Sequence, residues 1–280
     1  MRPKDTPVAS IQGTTRLYPV IGYPVAQVKA PLLYNPLFAA SGIDAVVVPL
    51  EVPPAMYPEV FKSLFKVSNL HGAMVTIPHK VATVALLDDC SDAVRIAGAC
   101  NAVVRRVDGS LYGDLFDGVG FVHALRHHDF EVAGSSCLVV GAGGAGAAIA
   151  AALAGAGAGR VRLHDAQAGQ AESVVSHLRQ YFPKISIEAG PAELAGFALV
   201  VNATPLGMEL DDPLPVDVSQ ITVEMLIAEI VMKREITPLV AAARACGCKT
   251  VLGREMLDAQ LLLYLDFFGL NPQTHSHPLN

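Results

Sequence analysis

The sequence predicts an α/β protein of two units, each built around a mostly parallel sheet. Three observations lead there. Short β-type runs alternate with helix-length segments along almost all of the 280 residues, the order that makes a mostly parallel sheet. The alternation breaks at "NAVVRRVDGSLYGDL" and restarts at residue 137, which puts a seam near residues 115 to 125. Just after the restart stands Gly141-Ala-Gly143-Gly144-Ala-Gly146, a G-x-G-x-x-G between a strand-like and a helix-like run.

Taken in order, "LYPVIG", "DAVVVPL" and "HGAMVTI" read as buried strands, with "PLLYNPLFAASG" and "PAMYPEVFKSLFKV" as the helices between them. The first helix begins with proline and stops at glycine, both suitable end signals. The loop before it is "GYPVAQVKAP", residues 22 to 31. Two β-type runs around Asp108-Gly109 form a hairpin signal. Beyond the seam, "CLVV", "RVRLHD", "ISIEA", "ALVVNA" and "TVEMLIA" are strands, and "REMLDAQLLLYLDFFG" is a long apolar helix closed by Gly269. The tail "NPQTHSHPLN" is expected to fray, with its two histidines solvated.

Composition narrows the partners. Hydrophobic residues make up 52% and charged residues 16%, which suits a large core and excludes general disorder. The net charge is −6 and the basic residues are scattered, so neither nucleic acid nor an anionic membrane is an expected partner. Residues 137 to 159 are uncharged and long enough to span a bilayer. Gly and Ala dominate them, so a strand, a glycine turn and a buried small-residue helix explain them better. The five cysteines are odd in number and irregular in spacing, which reads as reduced thiols and a cytoplasmic protein. "MRPKDTPVASIQGTTR" has no apolar core of signal-peptide length. Cys246-Gly-Cys248 lacks a second Cys or His pair at metal spacing, so these are read as structural thiols and no metal is expected.

The glycine turn has a specific logic. Gly141 allows the tight turn, Gly143 lets a pyrophosphate approach the backbone, and Gly146 lets helix and strand pack closely. The helix N-terminus then offers N–H groups and partial positive charge to phosphates. The same glycines would also serve a tight crossover without any ligand. The next strand ends at Asp165, followed by Ala166 and Gln167 with no arginine. A carboxylate there can accept hydrogen bonds from both ribose hydroxyls and repel an added phosphate, so NAD is expected over NADP.

Several stretches resemble one family in family order: "GAMVTIPHK", "AGACNAVV", "GDLFDGVGF", "VVGAGGAG", "VVNATPLGM" and "GREMLDAQ". Together, over roughly residues 17 to 269, they resemble shikimate dehydrogenases, which interconvert 3-dehydroshikimate and shikimate. The resemblance implies a substrate-binding domain over residues 1 to 118, to which a C-terminal helix (254 to 280) returns. A Rossmann domain then covers 119 to 253, with the active-site cleft between the two. It implies that Lys80 is the catalytic lysine and Asp117 its partner. Thr76, Asn101 and Gln260 fall on substrate-binding positions. Asn202, Thr204, Gly207 and Met208 fall on the loop that passes under the nicotinamide. Gly144, Ala145 and Gly253 join the cofactor side.

The chemistry agrees. Oxidising a secondary alcohol sends a hydride to nicotinamide and a proton from oxygen. A lysine beside that oxygen can relay the proton or stabilise charge developing on it, and a carboxylate can fix the ammonium group. Lys80 follows a strand, where an α/β sheet presents its site. As a residue by itself it would equally be a solvated lysine in a helix's first turn. His79 occupies a variable motif position and is read as packed or exposed rather than as the acid–base group.

Departures from the family run from polar to apolar. Val28 and Ala30, before Pro31, replace the Ser-x-Ser whose hydroxyls bind the substrate carboxylate. Met74, Leu115-Phe116 and Ala102 replace other polar positions, and Met232 loosely replaces a tyrosine. Lys29, Gln27 or Tyr34 could compensate, Lys29 most strongly, so Lys29 joins the substrate-binding set. The expected activity is therefore reversible NAD-dependent hydride transfer between 3-dehydroshikimate and shikimate or a close cyclic hydroxy acid, with aromatic amino acid biosynthesis as one pathway it would fit and a catabolic or specialised one left open. Quinate and amino-substituted shikimate are the near alternatives, and a catalytically weak, NAD-binding regulatory protein is the alternative of another class. The partner is a small molecule, and the assembly a monomer or homodimer.

Overall fold

A computed structural model of the chain describes residues 10–209 and 211–271. The first nine residues and the two tail histidines lie outside the described residues. The chain divides into two compact units, one of Met1–Ser91, Cys100–Asp114 and Leu261–Asn280, the other of Asp92–Ala99 and Leu115–Gln260.

The first unit contains β1 (Arg16–Gly22), α1 (Ala30–Ala40), β2 (Ala45–Glu51), α2 (Tyr57–Leu64), β3 (Gly72–Val75), α3 (Lys80–Val84), β4 (Asp89–Cys90), β5 (Ala102–Arg105) and β6 (Leu111–Asp114). Its sheet has the order β2-β1-β3-β5-β6-β4. β1 runs parallel to β2 and β3, while β5 runs antiparallel to β3 and β6. The Asp108-Gly109 signal marks the β5–β6 hairpin, where Gly109 takes φ +88°. α1 buries Ala30, Tyr34 and Phe38, one residue per turn on a single face. Asn35 fixes that helix to β2, its amide donating to the Val47 carbonyl at 2.9 Å and accepting from the Val47 N–H at 2.7 Å.

The second unit contains α4 (Asp92–Ala97), α5 (Asp117–His127), β7 (Ser136–Val140), α6 (Gly144–Gly155), β8 (Arg160–His164), α7 (Gln170–Tyr181), β9 (Ser186–Ala189), β10 (Leu199–Asn202), β11 (Leu226–Glu229), α8 (Pro238–Ala245) and β12 (Thr250–Leu252). The last helix, α9 (Gly253–Phe267), is counted with this unit as far as Gln260. The sheet is parallel throughout, in the order β12-β11-β10-β7-β8-β9. Numbered from β7, that is the 3-2-1-4-5-6 Rossmann order, with its switch point between β7 and β10. Val139, Ile149, Leu153, Val161, Leu163 and Val201 centre its core.

Residues 137 to 159 resolve into β7, the glycine turn and α6. Among the described residues no helix is long and apolar enough to cross a membrane. Cys246 donates its thiol hydrogen to the Ile221 carbonyl and Cys248 to that of Thr222. Burial pushes the Cys248 thiol up to about 11 and the Cys100 thiol up to about 12, so both stay protonated at neutral pH.

Candidate active site

In the first unit, four candidate positions gather at one end of the sheet. β1 and β3 are parallel neighbours, so the loops leaving their C-terminal ends run side by side. The Tyr23 N–H donates to the Ile77 carbonyl at 2.9 Å and the Thr76 N–H to the Ile21 carbonyl at 2.9 Å. Gly22 is required there: a Cβ would press on the Thr76 methyl and stand 3.0 Å from the Ile77 carbonyl. Lys80 opens α3, and its carbonyl accepts from the Cys100 N–H at 2.9 Å. Asn101 is 1% exposed; its carbonyl accepts from the Val75 N–H at 2.8 Å and from the Tyr264 hydroxyl at 3.2 Å. Antiparallel β5 thus brings Asn101 to the same end as Thr76 and Lys80. Lys29 is the N-cap residue of α1 and is exposed.

His79 has a structural position. It is buried and stacked flat on Tyr57, with centroids 3.9 Å apart and planes 1° from parallel. Its Nε2 lies 2.8 Å from the Val52 carbonyl, so that nitrogen carries the hydrogen. Burial lowers its pKa below the usual range. Of the two readings of this residue, packing is the one observed.

In the second unit, Asp117 is the first residue of α5 and 3% exposed. A carboxylate in a helix's first turn is favoured by the dipole. The Gln260 amide donates to its Oδ1 at 3.4 Å, so α5 and α9 bring these two candidates together. The glycines of "FDGVGF" explain the fit. A Cβ on Gly118 would strike the Ala148 carbonyl, and one on Gly120 would press against the Gln260 side chain.

The glycine turn suits a pyrophosphate. Gly141 takes φ +101°, and a Cβ on it would stand 2.7 Å from the Ala203 carbonyl. Gly143 caps α6, and a Cβ there would meet nothing within 4 Å, so the approach to the backbone is open. Gly144, Ala145 and Gly146 form the first turn of α6, where N–H groups have no intrahelical partner. Gly146 passes so close to the Gly141 carbonyl that no side chain could be added. Gly253 starts α9 with its Cα hard against the Ile230 carbonyl, 2.7 Å from where a Cβ would sit.

The loop after β10 is held by a network that the sequence reading missed. Glu229, 1% exposed at the end of β11, accepts hydrogen bonds from the Asn202 amide at 2.9 and 3.0 Å, the Thr237 hydroxyl at 2.9 Å and the Val231 N–H at 3.1 Å. Asn202 in turn accepts from Thr204, through N–H at 3.0 Å and hydroxyl at 2.6 Å, and donates to the Leu206 carbonyl. Gly207 turns at φ +100° over Thr237, and Met208 follows. Burial raises the Glu229 pKa while the donors oppose that rise. The available signal was an acid closing the apolar run "LIAE". Among the described residues no group of three or more His, Cys, Asp or Glu is placed to hold a metal ion.

The chain is similar to known proteins along most of its length. Residues 20–103 match the family model described as the shikimate dehydrogenase substrate binding domain. The chain is 40% identical over 270 residues to the shikimate dehydrogenase (NADP(+)) of Acidiphilium cryptum, covering 94% of each chain. It is 37% identical over 259 residues to that of Methylobacterium radiotolerans, covering 91% of this chain and 92% of the relative. The crystal structure of shikimate dehydrogenase from Aquifex aeolicus superposes with a TM-score of 0.83 at 30% identity, covering 92% of this chain and 94% of the other.

These relatives correct the cofactor expectation. They are named for NADP+, not NAD, so the NAD preference drawn from Asp165 is overturned. The structure supplies a physical reason. The Asp165 carboxylate accepts from the Ala142 N–H at 2.7 Å and the Gln167 N–H at 2.8 Å, so bracing the turn's own backbone accounts for an acid at this position and its presence alone does not mark a ribose reader. Near full-length identity at this level, on a chain whose second unit has the Rossmann strand order, makes the protein a member of the shikimate dehydrogenase family.

Proposed function

We propose that the chain interconverts shikimate and 3-dehydroshikimate with NADP(H), the first unit supplying Thr76, Lys80 and Asn101 to the hydroxy acid and the second holding the dinucleotide. The observation that carries this reading is the gathering of Thr76, Lys80 and Asn101 at one end of the first sheet, in a chain with relatives of that name. Lys80 relays the proton of the substrate hydroxyl, or stabilises the charge left on its oxygen. Asp117, held by Gln260, accepts a hydrogen bond from the substrate hydroxyl. Asn101 and Thr76 orient the ring's other hydroxyls. Gly141, Gly143 and the first turn of α6 hold the pyrophosphate, and Asn202 to Met208 form the loop beside the nicotinamide. When bound, the nicotinamide accepts the hydride from the alcohol carbon or returns it.

The test is NADP+ reduction followed by absorbance with shikimate, quinate and amino-substituted shikimate. Shikimate should give the highest kcat/KM, and Lys80→Met should lower kcat by about 10²–10⁴-fold, the usual contribution of a positioned proton-transfer group. Absence of turnover with every acid, or an unchanged kcat in Lys80→Met, would overturn the proposal.

A further inference from the structure

Lys80 stands on a helix too short to hold it in place. α3 spans five residues, Lys80–Val84, and a helix of that length is marginal by itself. Among the described residues of α3, Thr83 alone is buried, at 0% exposed. The attachment of Thr83 therefore governs where the first turn of α3 sits, and Lys80 with it.

That attachment is a chain of two buried hydroxyls. The Thr83 hydroxyl donates back to the His79 carbonyl at 2.8 Å, beside the Thr83 N–H at 2.9 Å. Its one hydrogen is thereby used. The Tyr57 hydroxyl lies 2.6 Å from the Thr83 hydroxyl oxygen, so Tyr57 is the donor and Thr83 the acceptor. Tyr57 opens α2 and is 1% exposed. Burial raises its phenol's pKa, so it keeps that hydrogen across the neutral range. The same ring carries the His79 imidazole on its face. The His79 carbonyl belongs to the peptide that joins His79 to Lys80. Beyond Lys80, its own carbonyl accepts from the Cys100 N–H at 2.9 Å, next to Asn101. Lys80 is thus gripped through the peptide before it and the peptide after it.

Stability alone is a weak reason for the two hydroxyls. Phe at position 57 and Val at position 83 would keep the ring and the branched side chain, with no polar groups to desolvate. What the hydroxyls add is direction, because a hydrogen bond fixes distance and angle together.

We infer that Tyr57 and Thr83 are positioning residues for Lys80, their hydroxyl chain setting the peptide that aims its side chain at the substrate oxygen. This rests on the reading that Lys80 relays the proton of that oxygen or stabilises its charge. Placement matters there, since a shift of about 1 Å at a reacting group can cost about 100-fold in rate.

The test compares Thr83→Val, Tyr57→Phe/Thr83→Val and Thr83→Ser in the full chain with NADP+ and shikimate. Thr83→Val and the double variant should lower kcat by about 10-fold or more, with KM for shikimate within about 3-fold. Thr83→Val strands the Tyr57 hydroxyl, so its melting temperature should fall by about 2–4 °C. The double variant removes both partners and should recover most of that fall while its kcat stays low. Thr83→Ser loses a methyl and keeps the hydroxyl, so its kcat should lie within about 3-fold of wild type. A merely structural role would instead make the rate follow the melting temperature. In a Lys80→Met background the double variant should change the residual kcat by less than about 2-fold, because the pair acts through Lys80. A double variant with wild-type kcat, a Thr83→Ser as slow as Thr83→Val, or an equal loss with and without Lys80 would overturn this inference, while a slow Lys80→Met keeps the proposed activity standing. An unchanged kcat in Lys80→Met, or no turnover by wild type, overturns the proposed activity and this inference with it.

Discussion

At the residue scale, burial decides what neighbours in the motif can do. His79 and Lys80 are adjacent in sequence, yet His79 lies under Tyr57 with its Nε2–H on the Val52 carbonyl. Its folded pKa is depressed, chiefly by desolvation, so the unfolded chain takes up a proton first as the pH falls. The stability His79 contributes is complete above its unfolded pKa near 6.5 and is lost as pH falls through that value toward the folded pKa. His71, lowered by burial and by Arg16 and Arg105, acts in the same direction. His79→Phe keeps a ring on Tyr57 and removes the titration. Urea denaturation between pH 7.5 and 5.5 should show a smaller loss of stability in the variant than in wild type. At pH 7.5 the variant should be weaker by about 1 kcal/mol, for the lost hydrogen bond. Equal slopes would show that His79 is not the titrating group. Asp165 carries the matching lesson for sequence reading. Its residue type was visible at the end of β8, but its engagement by the Ala142 and Gln167 N–H groups depends on how two turns meet. No single-residue rule records that.

At the element scale, what was legible had a local cause. The glycine turn announces itself because its close approaches exclude any side chain, and the β5–β6 hairpin because Asp108-Gly109 sets the turn. α1 was visible from its proline start and its glycine stop. Two-residue β4, three-residue β12 and the short α4 were not, because neighbouring strands and helices fix them and no period can develop over so few residues. The same holds for the Asn202–Glu229–Thr237 network. Its members stand 27 and 8 residues apart in sequence and meet only because β10 and β11 are parallel neighbours. Glu229 receives donors alone, so Glu229→Gln turns an amide N–H₂ toward at least one of them. The variant should lose about 1–3 kcal/mol of stability, the cost of an unsatisfied buried donor. Since Asn202 anchors Thr204 and the Leu206 carbonyl, KM for NADP+ should rise more than KM for shikimate. Urea melts and steady-state kinetics read both effects. Unaltered stability, or a change confined to shikimate KM, would remove Glu229 from its supporting position.

At the scale of the whole molecule, two sheets with separate cores divide the chemistry in the proposed reading. The β-α alternation made both sheets legible, while the division of α9 after Gln260 was not, because one continuous apolar helix carries no mark of which core each turn joins. Each ligand should then protect the unit that holds it. Under native hydrogen exchange, NADP+ at 100 times its Kd stabilises the binding-competent state by about 2.7 kcal/mol, or about a hundredfold in the opening equilibrium. Amides that exchange by opening of the glycine turn, Gly141 to Gly146, and of the Asn202–Met208 loop should slow by up to that factor. Amides of the β1–α1 loop and of Thr76 to Lys80 should change far less. Shikimate alone should give the reverse pattern, with protection at the ends of β1 and β3 and around Asn101. Protection by NADP+ at the β1–α1 loop with none at the glycine turn would mean that the roles of the two units are exchanged.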